Sequence, residues 1–135
     1  MDHTATVRRL YDLLNAHDVD AFGDLLADDF VEHEELPGGD ATSEGVKAFF
    51  RMQIAAFPDL AMTPEDVIDG GDKVVARVRF TGTHRGEFMG MPATGRSVDV
   101  QVIDIMRCAD DGLVHEHWGV FDAMAMMRQL GAAGG

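Results

Sequence analysis

Residues 98–106 read Val-Asp-Val-Gln-Val-Ile-Asp-Ile-Met, and residues 114–122 read Val-His-Glu-His-Trp-Gly-Val-Phe-Asp. Carboxylates therefore interrupt two stretches that otherwise pattern as buried β-strands. Side chains two apart on a strand share a face. Val98, Val100, Val102 and Asp104 are expected on one face, and Val114, Glu116, Trp118, Val120 and Asp122 on one face of the next strand. An ionised carboxylate on an apolar face is costly unless it is paired, hydrogen-bonded or neutralised. Chains keep that cost where a proton must be moved. Two such positions on neighbouring strands point to an acid/base pocket.

Each candidate also has a plainer reading. Asp122 falls where a strand gives way to a helix, and spacing alone favours a helix N-cap. Asp104 is either a proton carrier or a buried carboxylate held by backbone or by Arg77 or Arg79. Glu116 shares the parity of Trp118 or faces solvent. His115 and His117 form an H-x-H that suits zinc if His33 supplies a third ligand, but no further His or carboxylate cluster accompanies them, so no metal is expected. His33 sits among glutamates as an exposed or capping residue. His84 ends the apolar face of a strand and opens a loop, which suits the mouth of a pocket. Nine methionines, among them Met89, Met91, Met124, Met126 and Met127, fit a core or a broad apolar ligand equally.

The elements that must position these residues are legible from periodicity. A helix over 6–15 carries Val7, Leu10, Tyr11 and Leu14 at i, i+3, i+4 and i+7. Asp18 reads as the N-cap of a second helix with Phe22, Leu25 and Leu26. Residues 30–34 read as a short strand and 37–40 as a loop. A third helix starts at Thr42 or Ser43, carries Val46, Phe49, Phe50 and Ile54, and is stopped by Pro58. From residue 60 the period is two. Residues 60–68 form a strand that Pro64 confines to an edge or a bulge, 69–72 are a hairpin turn, and 73–84 are a strand with Val74, Ala76, Val78 and Phe80 on its apolar face. Residues 85–95 are a long loop. Strands 96–107 and 113–121 follow around the turn 109–112, and a last helix over 123–130 ends at Gly131. Helices followed by antiparallel strands give an α+β domain with helices on one sheet face.

The chain has 135 residues, 46% hydrophobic and 26% charged, which suits one soluble globular domain spanning 1–135. A net charge of −13 argues against nucleic acid or an anionic membrane as partner. Much of it lies in the acidic run from Asp18 to Glu35, read as solvated surface. No apolar run reaches the roughly 20 residues of a membrane span, and with no visible signal peptide the protein is expected in the cytoplasm. Cys108, the only cysteine, reads as structural. No phosphate loop, G-x-S-x-G elbow or dinucleotide fingerprint is present, so no cofactor is expected.

Residues 82–95, Gly-Thr-His-Arg-Gly-Glu-Phe-Met-Gly-Met-Pro-Ala-Thr-Gly, resemble the G-T-H-x-G-x-F-x-G-x-P-x-T-G stretch of the SnoaL-like polyketide cyclase family. Ile103-Asp104 with Arg107, Glu116-His117-Trp118 with Asp122, and the 129–131 ending are similar to its closing segments. Residues 30–33 and 45–50 match more loosely. The loop departs in one place, with Pro92-Ala93 where a tandem proline is common.

The resemblance implies a cone-shaped α+β barrel of the nuclear-transport-factor-two-like type, in which a curved antiparallel sheet wraps N-terminal helices and encloses an apolar pocket. It implies a homodimer through the sheet and an intramolecular aldol ring closure on a hydrophobic carbonyl compound, by acid/base catalysis without metal. By position the catalytic aspartate would be Asp122, supported by Asp104 and His33. His84, Trp118, Phe50, Met89, Met91 and His117 would hold the substrate. The fold also serves isomerases, epoxide hydrolases and non-catalytic ligand-binding or dimerisation modules, so these remain alternatives.

Overall fold

The computed structural model describes residues 2–36 and 39–131. The expected loop at 37–40 falls outside them at residues 37 and 38. Helix α1 (His3–Asn15) buries Val7, Leu10, Tyr11 and Leu14 as one stripe, and Asp2 caps it by accepting from the Thr4 N–H. Asp18 caps α2 (Val19–Gly23), and Thr42 caps α3 (Ser43–Ala56). Asp122 caps α4 (Ala123–Gln129), and Gly131 follows it at φ 79°, the left-handed conformation that glycine adopts freely.

Five strands, β1 (Leu26–Glu32), β2 (Ala61–Asp69), β3 (Lys73–Thr83), β4 (Ser97–Cys108) and β5 (Val114–Phe121), form one sheet in the order β1-β5-β4-β3-β2. The three pairings among β2, β3, β4 and β5 are antiparallel. The fourth corrects the expectation of a wholly antiparallel sheet, because β1 lies parallel to β5. The sheet curves without closing, so the barrel has two edges, β1 and β2. Pro64 sits on edge strand β2 beside a register shift, where its missing N–H costs no ladder bond.

One sheet face meets the helices. Val74, Val78, Phe80, Val98 and Val100 share a core with Val7, Leu10 and Phe57. On the other face Arg77 pairs with Glu65 and Asp66, and Arg79 with Glu65 and Asp99. Neither arginine reaches Asp104, and the pairs are exposed enough to contribute little stability.

The parity expected for β4 holds: Val98, Val100 and Asp104 are buried on the helix side. That for β5 does not. Val114 pairs with Cys108 and Glu116 with Arg107, so β5 advances two residues while β4 advances one. This bulge at His115 reverses every later side chain. Val114 and His117 face the core side, whereas Glu116 and Trp118 face outward. Among the described residues no helix is long and apolar enough to cross a membrane.

Candidate active site

The helices and the concave sheet face enclose a cavity of about 220 Å³ whose lining is mostly apolar, with Leu14, Phe22, Phe50, Phe80, Met89 and Val102 among its walls. Glu35 and Gln53 border it, and so do five further polar side chains, Tyr11, Glu32, Glu34, Asp104 and His117. These five come from α1, β1 and its following turn, β4 and β5, and four of them form one hydrogen-bonded chain. The Tyr11 hydroxyl donates to Asp104 Oδ2 at 2.6 Å. His117 Nε2 lies 2.7 Å from Asp104 Oδ1, and His117 Nδ1 lies 2.5 Å from Glu32 Oε2. Register brings this about, since Glu32 stands beside His117 on the parallel pair and Asp104 is two residues from Met106, the antiparallel partner of His117.

Burial opposes a charge on His117, but the hydrogen bonds to Asp104 and Glu32, and their negative charges, outweigh it and push its pKa up to about 10. The ring is thus an imidazolium at neutral pH, with both N–H groups committed to carboxylates. Burial raises the Tyr11 pKa well above the ordinary phenol value, and the neighbouring Asp104 charge adds to this. Tyr11 is therefore a neutral donor that fixes Asp104.

Glu34 approaches from the open end. Its Oε1 lies against Gly119, 2.3 Å from where a Cβ would stand, and Asp104 Oδ1 is 2.9 Å from the same point. Gly119 faces Asp104 across the β4–β5 ladder, so the absence of a side chain there makes room for the Glu34 carboxyl. Burial raises the Glu34 pKa; the positive charge of His117 pulls the other way, and Asp104 and Glu32 add to the rise.

The remaining predicted residues stand elsewhere. Asp122 is exposed, accepts from the Ala125 N–H at 3.0 Å as the cap of α4, and does not border the cavity. The two aspartates therefore do not share one pocket: β5 ends before Asp122, and α4 claims its carboxylate. His33 is half-exposed, bonds Glu116 at 2.7 Å and stacks on Trp118 with centroids 4.7 Å apart, all on the outer face. Glu116 is held below the usual carboxylate range by Arg107 first and then by His33. Trp118 carries Lys73 over its ring and lies outside the cavity with them. The bulge is the reason.

His84 is fully buried beside Phe57 and Phe88, outside the cavity lining. The Thr94 N–H donates to its Nδ1, and its backbone bonds Arg96 and Gly95 across the neck of the loop. It acts at one remove, anchoring the loop that lends Phe88 and Met89 to the cavity. Met91 packs against the core instead of lining the cavity. Phe50, Met89, Asp104 and His117 are the predicted residues that do line it.

His33, His115 and His117, the trio that the H-x-H spacing raised as a possible zinc set, turn to different carboxylates. A different trio, Glu34, Asp104 and His117, offers ligand atoms within 4.8 Å of one another. A cation there would have to displace the proton that holds His117 Nε2 to Asp104. With a pKa of about 10, a proton is the better-suited occupant at neutral pH.

Sequence reading missed Tyr11, Glu32 and Glu34. Fold and site together define a small α+β pocket protein, an apolar cavity built around one acid/base cluster. The chain belongs to the SnoaL-like polyketide cyclase family, whose model matches residues 4–130. It is 28% identical over 131 residues to the aklanonic acid methyl ester cyclase DnrD of Streptomyces peucetius, covering 93% of this chain and 88% of that one. Its fold is similar to that of IdmH from Streptomyces antibioticus, with TM-score 0.84 and 35% identity over 97% of this chain and 99% of the other. TsrD from Streptomyces laurentii is similar too, with TM-score 0.83 and 33% identity over 95% and 96%.

Proposed function

We propose that the protein is a cyclase that closes a ring of a hydrophobic polyketide by intramolecular aldol condensation, with Asp104 taking the proton from carbon. The observation that carries this reading is a buried carboxylate bordering an apolar cavity while fixed by two donors, Tyr11 and His117. A carbon between two carbonyls is already acidic, so a positioned carboxylate suffices as base. The His117 imidazolium stabilises the enolate through its field, which acts strongly in a cavity with little water. Aromatic and methionine walls suit a flat ring system.

The test uses aklanonic acid methyl ester, the compound in the name of the DnrD cyclase, as probe. Incubation at neutral pH should yield a ring-closed isomer of unchanged mass, resolved by chromatography. Saturable binding with no isomer formed would assign the cavity to a non-catalytic binding protein instead.

The same reading includes a homodimer through the sheet. Ile68, Val75, Ile105 and Trp118 lie in one register row across four strands on the outward face, with Ile68 and Val120 exposed. Such an apolar row favours a partner surface. Sedimentation at micromolar concentration should give the dimer mass, and a monomer at all concentrations would remove this part of the reading.

A further inference from the structure

We infer that Glu34 is a second catalytic carboxyl, the group that protonates the carbonyl oxygen while Asp104 deprotonates carbon. This rests on the aldol reading above and assigns it an acid. Aldol closure needs a base at one atom and an acid at another. Among the other polar groups of the cavity, the Gln53 amide makes no hydrogen bond but is far too weak an acid to give up a proton, and Glu35 is exposed. The Tyr11 hydroxyl is bonded to Asp104, and both N–H groups of His117 are bonded to carboxylates. The Glu34 carboxyl has no hydrogen-bond partner among the described residues, although its backbone N–H donates to Glu32.

Three placements support the role. The carboxyl borders the cavity, and one of its oxygens lies within 4.8 Å of an oxygen of Asp104. Gly119 leaves the slot into which it fits. Glu34 also borders a second, acidic groove formed with Glu35 and Asp40, so it stands between cavity and solvent and can exchange its proton with water. Three carboxylates around one imidazolium leave an excess of negative charge. The least tightly held, Glu34, is the one that burial pushes toward its neutral acid form.

The step balances without any co-reactant. Asp104 takes the proton from the carbon between two carbonyls, and the enolate carbon forms a bond to the receiving carbonyl carbon. The electron pair of that C=O moves to oxygen, which takes the proton of Glu34. The proton on Asp104 then passes to the Glu34 carboxylate. Both groups return to their starting states, and the product is a β-hydroxy ketone isomeric with the substrate.

The experiment compares wild type, Glu34→Gln and Glu34→Asp on aklanonic acid methyl ester, following ring closure and, in D₂O, deuterium entry at the acidic carbon. Glu34→Gln should lose about 10²-fold in kcat with KM little changed, yet exchange deuterium above the uncatalysed rate, because Asp104 is intact. Glu34→Asp should recover part of the loss. The limb of the wild-type kcat profile that reports loss of the Glu34 proton should be absent in Glu34→Gln, while a fall near pH 10, where His117 gives up its charge, should remain. Ring closure by Glu34→Gln within threefold of wild type overturns the inference alone, as does loss of exchange in step with ring closure in both variants. Wild type that neither cyclises nor exchanges the probe overturns the aldol reading and this inference with it.

Discussion

Asp104→Asn should lower turnover by about 10³-fold with KM within a few-fold of wild type, the size expected when a positioned general base is removed. The amide matches the carboxylate in shape, so Tyr11 can still donate to its oxygen and the apolar walls still bind substrate. What it lacks is a basic lone pair for the carbon-bound proton. The change also removes one of the two anions around His117, and the amide N–H₂ and the ring N–H compete for one orientation. A stability loss of about 1–3 kcal/mol follows from that mismatch, which a melting curve separates from the catalytic loss. Asp122→Ala supplies the contrast. Asp122 is exposed and bonded to the Ala125 N–H, so its loss should cost roughly 1 kcal/mol as a missing N-cap and leave turnover near wild type. Turnover lost in Asp122→Ala and kept in Asp104→Asn would reverse the assignment of the acid/base role.

The contrast between the two aspartates shows what the chain's pattern reveals and what it hides. Asp104 was legible because β4 is regular: three valines fix the parity, and the carboxylate inherits the buried face. Trp118 and Glu116 were misplaced because parity in β5 was counted through a bulge. One extra residue against Arg107 sends them outward and brings His117 inward, and no turn or glycine at His115 announces it. Asp122 followed a positional resemblance against its own local signal, the strand-to-helix junction that makes a cap.

Tyr11 and Glu32 left signals of another kind. A phenol on the buried stripe of α1 needs a partner for its hydroxyl, which pointed to a polar group inside the core. Phe30, Glu32 and Glu34 share one strand parity, so the burial of Phe30 drew two carboxylates of the acidic run toward the cavity. A run of eight acids reads as solvated surface until one asks which face each occupies. The parallel pairing of β1 with β5 decided the matter, and such long-range pairing leaves no local trace in sequence.

His117 should make the protein progressively less stable between pH 6.5 and about 10. Its pKa is raised in the folded state from 6.5 to about 10, despite burial, by Asp104 and Glu32. Below pH 6.5 the ring is protonated folded and unfolded, and the full contribution of its two ion pairs is present. Above 6.5 the unfolded chain gives up this proton while the folded chain keeps it, so stability drops by about 1.4 kcal/mol per pH unit. The loss is complete once pH passes the folded value and amounts to a few kcal/mol, on the order of the shift.

Other groups enter at different points. Glu34, whose folded pKa is raised mainly by burial, begins to withdraw stability from about its ordinary value of 4.5 upward. The Cys108 thiol, pushed by burial from 9.0 to about 11, adds its loss only above pH 9. Tyr11 follows above 10. From pH 7 to 9 His117 supplies this slope, and Glu34 adds to it for as long as its buried carboxyl keeps its proton, so Glu34→Gln isolates the His117 part. Urea unfolding across that interval should show the slope, and Glu32→Gln, which removes one anion from the ring, should flatten it by moving the folded pKa down. The ring protons of His117 in NMR spectra should hold their imidazolium shifts up to pH 8.5. A midpoint near 6.5 would mean that Asp104 and Glu32 do not hold the proton, and the charged floor of the cavity on which the enolate depends would be lost with it.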